Sequence, residues 1–172
     1  PELGEDSIRA GQNAAYAAAV LVVLFMIASY GAFGVVAVIA LAINIVLIFA
    51  FLSVLGATLT LPGIAGIVLT MGQAVDANVL IYERMREELR RGATPIKALN
   101  EGFAKALSAI VDANVTTFII AGIMYFVGAG PVRGFAVTLA VGVVTTMITG
   151  VYVTRFLIAL WFARTRPKTI VV

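Results

Sequence analysis

Residues 34–55, GVVAVIALAINIVLIFAFLSVL, contain no charged side chain and a single amide, Asn44. Coiled as an α-helix at 1.5 Å per residue, this stretch is about 33 Å long, against a bilayer hydrocarbon core of about 30 Å. It is the middle of a longer run, because no residue from Ala10 to Val75 is charged. Those 66 residues are enough for three membrane spans of about 20 residues each. The rest of the chain agrees: of 172 residues, 62% are hydrophobic and 12% charged, with a mean hydropathy of +1.07. Soluble domains average roughly 45–50% apolar and about 25% charged residues. The composition excludes disordered and collagen-like chains and defines an all-α integral membrane protein.

Helix breakers divide the chain into five expected spans. Gly31-Ala32-Phe33-Gly34 separates a first span, about 13–30, from the second at 34–55. The next break, Gly56 to Gly63, holds Pro62, which suits the first turn of a third span at about 62–82. A charged stretch, 83–91, follows. Thr94-Pro95 then restarts a helix as N-cap and first-turn residue. Within 95–106, Ile96, Leu99 and Phe103 alternate with Lys97, Glu101 and Lys105, a spacing that predicts an amphipathic helix on the membrane surface. Residues 83–106 therefore form a linker with a surface helix. A fourth span is expected at 107–127, ended by Gly128-Ala129-Gly130-Pro131, and a fifth at 134–154. The chain reads as one transmembrane domain, 1–172. The opening Pro1-Glu2-Leu3 has no initiating Met and no signal-peptide pattern, as expected of a piece of a longer protein.

The chain has no cysteine and no histidine. That removes disulfides, thiol nucleophiles, His-dependent triads and Cys or His metal sites; no cofactor or metal is implied. A net charge of +3 is uninformative until the charges are placed. With five spans, one face carries Arg84, Arg86, Arg90, Arg91, Lys97, Lys105, Arg155, Arg164, Arg166 and Lys168, the other Arg9 and Arg133. This bias predicts a cytoplasmic linker and C-terminus and an external N-terminus. The basic linker is expected to meet membrane lipids and no nucleic acid. Trp161 suits the interfacial belt, and Arg155, 22 residues after Arg133, an interfacial anchor.

Two acids fall inside spans. Asp76 and Asp112 each sit in the pentapeptide Val-Asp-Ala-Asn-Val, at 75–79 and 111–115. Asp76 precedes Glu83 by seven residues and Asp112 follows Lys105 by seven, which places both roughly 10 Å from the cytoplasmic charges. An ionised carboxylate there costs at least about 2.5–3.5 kcal/mol on insertion scales. The neutral acid is favoured unless a cation or hydrogen-bond donors oppose it. A carboxyl poised between the two states is what a proton carrier needs. Asn78, Asn114, Thr116 and Thr117 supply polar neighbours, with Asn44, Thr145, Thr146 and Thr149 on other spans. Interhelical hydrogen bonding is the competing role for these side chains. Asp112 has a competing role too, as an N-cap where the surface helix bends into the fourth span. With Arg155 interfacial, no cation stands at the depth of the acids, so either they are neutral or a second chain supplies a partner.

Residues 72–84, GQAVDANVLIYER, resemble the fourth-helix signature of SecD subunits in the SecD/SecF family, within the resistance-nodulation-division superfamily. Residues 110–117, IVDANVTT, resemble the fifth-helix signature; 128–136, GAGPVRGFA, and Thr154-Arg155 are similar to the start and finish of the sixth helix. Gln73 stands where an apolar residue is expected. The resemblance implies the second to sixth helices of a six-helix half, with SecF as the other half, fused or separate. It implies a bacterial inner-membrane accessory that uses the proton-motive force to complete preprotein export after SecA has driven the chain through SecYEG. Carried over, the proton-carrying aspartate is Asp76. Asn78, Asp112, Asn114, Thr116 and Thr117 join its polar cluster, Glu83 and Arg84 are helix-end charges, and a needed arginine lies on SecF. Two other readings stand beside it. One is a small-molecule or lipid exporter of the same superfamily, although drug pumps there carry paired adjacent acids and Asp76 lies between Val75 and Ala77. The other is a helical scaffold that moves no protons. No nucleophile–base pair, phosphate loop or metal set points to a classical enzyme.

Overall fold

The computed structural model describes residues 2–57 and 59–165. Arg166 and Lys168, counted with the basic face, lie outside them. The described residues are helical apart from short turns. The elements are α1 (Glu2–Tyr30), α2 (Ala32–Leu55), α3 (Leu61–Arg90), α4 (Pro95–Val127), α5 (Pro131–Met147), a π-helical segment (Ile148–Val153) and α6 (Thr154–Thr165). The last three follow one another without a break, and Pro131–Arg164 makes one 34-residue span, so five helices are long and apolar enough to cross a membrane.

The helix boundaries follow from local chemistry. Gly31 (φ 59°, ψ −121°) and Gly130 (φ 57°, ψ −126°) adopt nearly the same conformation, one closed to residues with a Cβ, and each reverses the chain between antiparallel helices. α2 ends in a Schellman turn: Gly56 is left-handed, and the Ala57 amide donates to the Leu52 carbonyl at 3.0 Å. Thr60 and Thr94 cap α3 and α4 by accepting from the Gly63 and Lys97 amides, each with a proline in the first turn.

α3 is the axis of the bundle and packs against α1, α2, α4 and α5. Of its most apolar stretch, 56% is buried, against 17% for α4 and 11% for α1. The outer helices present Leu21, Leu24, Phe25, Phe118, Ile119 and Phe126 to their surroundings, as lipid-facing helices do. α3 and α5 run parallel, joined by close small-residue contacts. A Cβ at Gly66 would stand 3.2 Å from the Thr138 side chain, one at Gly142 would strike Thr70, and one at Gly150 would lie 3.4 Å from Ala77. Bilayer helices associate through such contacts because apolar side chains gain little by leaving lipid.

Residues 95–106 are helical but continue without a break into the fourth long helix. α4 is one uninterrupted helix from Pro95 to Val127. Its amphipathic first third packs on the extension of α3, where Gly102 lets Met85 come close and Lys105 and Arg91 pair with the buried Glu88. This overturns the N-cap role for Asp112: the residue is in mid-helix, and the cap is Thr94. Charged residues gather at the same end of the bundle. Tyr30 Oη donates to Glu83, Arg86 pairs with Glu83 at 2.8 Å and covers the Tyr30 ring, and Arg84 pairs with Glu87 at 3.0 Å. Arg155 lies over the Phe103 ring, and Trp161 meets Phe33 edge to face.

Candidate functional site

α3 carries Asp76 where its face turns from the core toward α4. The one-turn periodicity of the helix puts Ala74, Ala77 and Asn78 inside and leaves Asp76 exposed. The carboxylate opens on a concavity of about 80 Å3 between α3 and α4. Its polar lining is Gln73 and Asp76 from α3 with Asn114 and Thr117 from α4, over a floor of Ala77, Leu80, Ile110 and Ala113. Gln73 bridges the two helices, its Nε2 donating to Thr117 Oγ1 at 3.4 Å. The Gln73 Oε1 atom is buried without a partner. Among the described residues, no hydrogen bond or ion pair engages the Asp76 carboxylate.

The other expected residues divide into four groups. Asn114 and Thr117 share the concavity with Asp76; Asn114 donates to the Ile110 carbonyl at 2.7 Å and Thr117 to that of Ala113 at 2.9 Å. Asp112 and Thr116 are exposed on α4 and do not line it. The Thr116 hydroxyl bonds the Asp112 carbonyl at 2.9 Å, and no ion pair holds the Asp112 side chain among the described residues. Asn78 faces away. It is 2% exposed, donates to the Ala74 carbonyl and accepts from Thr154 Oγ1 at 3.0 Å. Glu83 and Arg84 lie beyond the concavity in the charged layer that ties α1 to α3. The polar cluster is thus smaller than expected and contains Gln73, whose amide is the sequence signal for it.

Sequence reading missed the π-helical segment and the bond that Thr154 makes to Asn78. No composition rule marks a π turn, although Thr145, Thr146, Thr149 and Thr154 form a run of hydroxyls at these positions. A further polar level lies between two apolar clusters. Leu41 and Met71 belong to one cluster and Ile48, Ile67 and Val141 to the other, with Asn44, Thr70, Thr145 and Thr146 between. Asn44 is fully buried, and neither its amide atoms nor the Thr146 hydroxyl has a partner among the described residues.

An all-helical membrane domain with a polar concavity on its central helix is the class of protein defined so far. Residues 1–164 match the family model described as protein export membrane protein SecD/SecF, C-terminal, and the chain belongs to that family. It is 56% identical over 172 residues to the protein translocase subunit SecD of Rhodobacter capsulatus, covering all of this chain and 31% of that one. It is 51% identical over 168 residues to the protein translocase subunit SecDF of Brucella abortus, covering 98% of this chain and 22% of that one. The crystal structure of SecDF from Thermus thermophilus, a translocon-associated membrane protein, matches with a TM-score of 0.93 and 44% identity. That match covers 98% of this chain and 24% of the other. The chain thus spans a third or less of the length of these relatives.

Proposed function

We propose that this chain is the membrane part of a SecD subunit that works with SecF and uses the proton-motive force to promote the late stage of preprotein export through SecYEG. The observation that carries this reading is Asp76: an acid in the middle of the axial helix, facing a polar concavity, with no cation beside it among the described residues. Asp112 and Thr116 add polarity to the outward side of α4. Carboxylates exposed to hydrocarbon are strongly disfavoured, so this side calls for a covering chain that is polar at the same depth. Family membership and the SecDF fusion in Brucella abortus make SecF the natural cover, and the resemblance puts an arginine there.

The charged layer of α3 and α4 then faces the bacterial cytoplasm and the start of α1 the outside, following the basic-residue bias. A proton arriving from outside neutralises Asp76, and Gln73, Asn114 and Thr117 offer donors and acceptors to both protonation states. Loss of the charge weakens attraction to the partner's cation and favours a different packing of the halves. Release to the cytoplasm restores the first. Proton binding shifts the two packings only as far as its affinity differs between them.

The test uses full-length protein with SecF in membrane vesicles, wild type against Asp76→Asn at equal abundance. Loss of only the gradient-dependent part of preprotein completion is expected. Unchanged gradient dependence would favour the scaffold reading.

A further inference from the structure

The contact between α3 and the end of the α5 helix differs from the contacts above it. Between Thr70 and Ala77, α3 advances seven residues; between their partners Gly142 and Gly150, α5 and the π-helical segment together advance eight. The wider π turn takes up the additional residue. Its last hydrogen bond runs from the Thr154 amide to the Thr149 carbonyl, five residues back. The Thr154 hydroxyl lies 2.9 Å from that same carbonyl and 3.0 Å from Asn78 Oδ1 on α3. One hydroxyl proton therefore faces two acceptors, one on each helix. Thr154 is fully buried and Asn78 nearly so, so water does not compete for either.

Asn78 is two residues from Asp76 and points to the opposite side of α3. A bond that holds Asn78 against α6 sets the rotation of α3 about its axis at the level of the carboxylate. We propose that Thr154 is a positioning residue for Asp76: delivered by the π turn to Asn78, it keeps the carboxylate turned toward Gln73, Asn114 and Thr117, and it is a contact through which rotation of α3 at this level passes to the helix that α5 begins. The two acceptors of one proton give the joint two settings, bound to Asn78 or withdrawn to Thr149. The link to proton-driven export rests on the function proposed above; the positioning itself does not.

The test therefore has two readouts in the full-length protein with SecF. Gln73 and Thr117 are in side-chain contact across the concavity, and the chain has no cysteine of its own. A Gln73→Cys, Thr117→Cys pair, oxidised in membranes, reports whether α3 presents this face to α4. Thr154→Val, which keeps the side-chain shape, is expected to lower both the cross-linking rate and, in protein without the introduced cysteines, gradient-dependent export by about five- to tenfold, the scale of one lost hydrogen bond. Thr154→Ser, which keeps the hydroxyl, is expected to restore both. Unchanged cross-linking in Thr154→Val overturns the positioning role. So does a loss of cross-linking that Thr154→Ser does not recover. Cross-linking that falls and recovers while export in the wild type proves independent of the gradient leaves the positioning role standing and removes the proposed function.

Discussion

Val75–Val79 and Val111–Val115 are the same five residues in two surroundings. Their local behaviour is the same: each asparagine donates to the carbonyl four residues back, at 3.3 Å for Asn78 and 2.7 Å for Asn114, and each aspartate is exposed. Everything beyond the helix differs. On α3, Ala77 is buried against Gly150 and Asn78 reaches Thr154; on α4, Ala113 is exposed and Asn114 edges the concavity. The pentapeptide fixes which side chains bond to their own backbone. The place of the helix in the bundle decides which of them have anything else to meet. One copy looks both into the core and into the concavity, and the other looks into the concavity and outward.

The sharpest way to break this comparison is to neutralise the two acids separately. Asp76→Asn is expected to lower gradient-dependent export about a hundredfold, the scale on which removing a proton-transfer group acts. Asp112→Asn, which removes no group from the concavity, is expected to stay within about fivefold, a change of about 1 kcal/mol. Vesicle export assays at matched abundance decide it. Equal losses would mean that the two acids act as a pair and that their unequal placement is of no consequence.

The asparagines give the next largest contrast. Asn78→Ala removes a buried bond between helices and leaves the Thr154 hydroxyl with one acceptor; a loss of about 2 kcal/mol is expected. Asn114→Ala removes only a bond to its own helix, and about half that loss is expected. Unfolding in mixed micelles, read by helix content, compares them. A larger loss for Asn114→Ala would place the tighter interface at α4.

Glycines sharpen the same point with effects of opposite sign. Gly142→Ala puts a methyl into Thr70, and overpacking there is expected to cost about 1–3 kcal/mol. Gly122 on α4 has open space, so Gly122→Ala is expected to gain up to about 1 kcal/mol from helix propensity. The same unfolding measurement reads both signs.

These contrasts also show where sequence reading stops. The five long helices were legible because charge-free length is a property of the chain itself. Asp76, Asn114 and Thr117 were legible as polar groups at one depth, and that they line one concavity depends on rotation about two axes. Asp112 read like Asp76 because five residues of context are identical; its outward direction is set by packing on α3. The unbroken α4 was hidden because an amphipathic period reveals a face and not whether the helix is interrupted where that face ends. The π turn had no signal, since its extra residue is defined only by the register of α5 against α3.

Asn44 is the third asparagine of the bundle and the smallest expected effect. Unlike Asn78 and Asn114 it makes no bond to its own helix, and both amide atoms are buried without a partner among the described residues. A buried amide that has lost water and found no partner is a cost, and an apolar group of the same branching removes it. Asn44→Leu is therefore expected to raise stability by about 1 kcal/mol, net of the packing cost of the slightly larger side chain. An unfolding midpoint that moves up supports this. A midpoint that drops by an equivalent amount, with Asn44→Ala dropping as well, would mean that the amide is engaged in the membrane and that this level, like the concavity around Asp76, is built to hold polarity rather than merely to tolerate it.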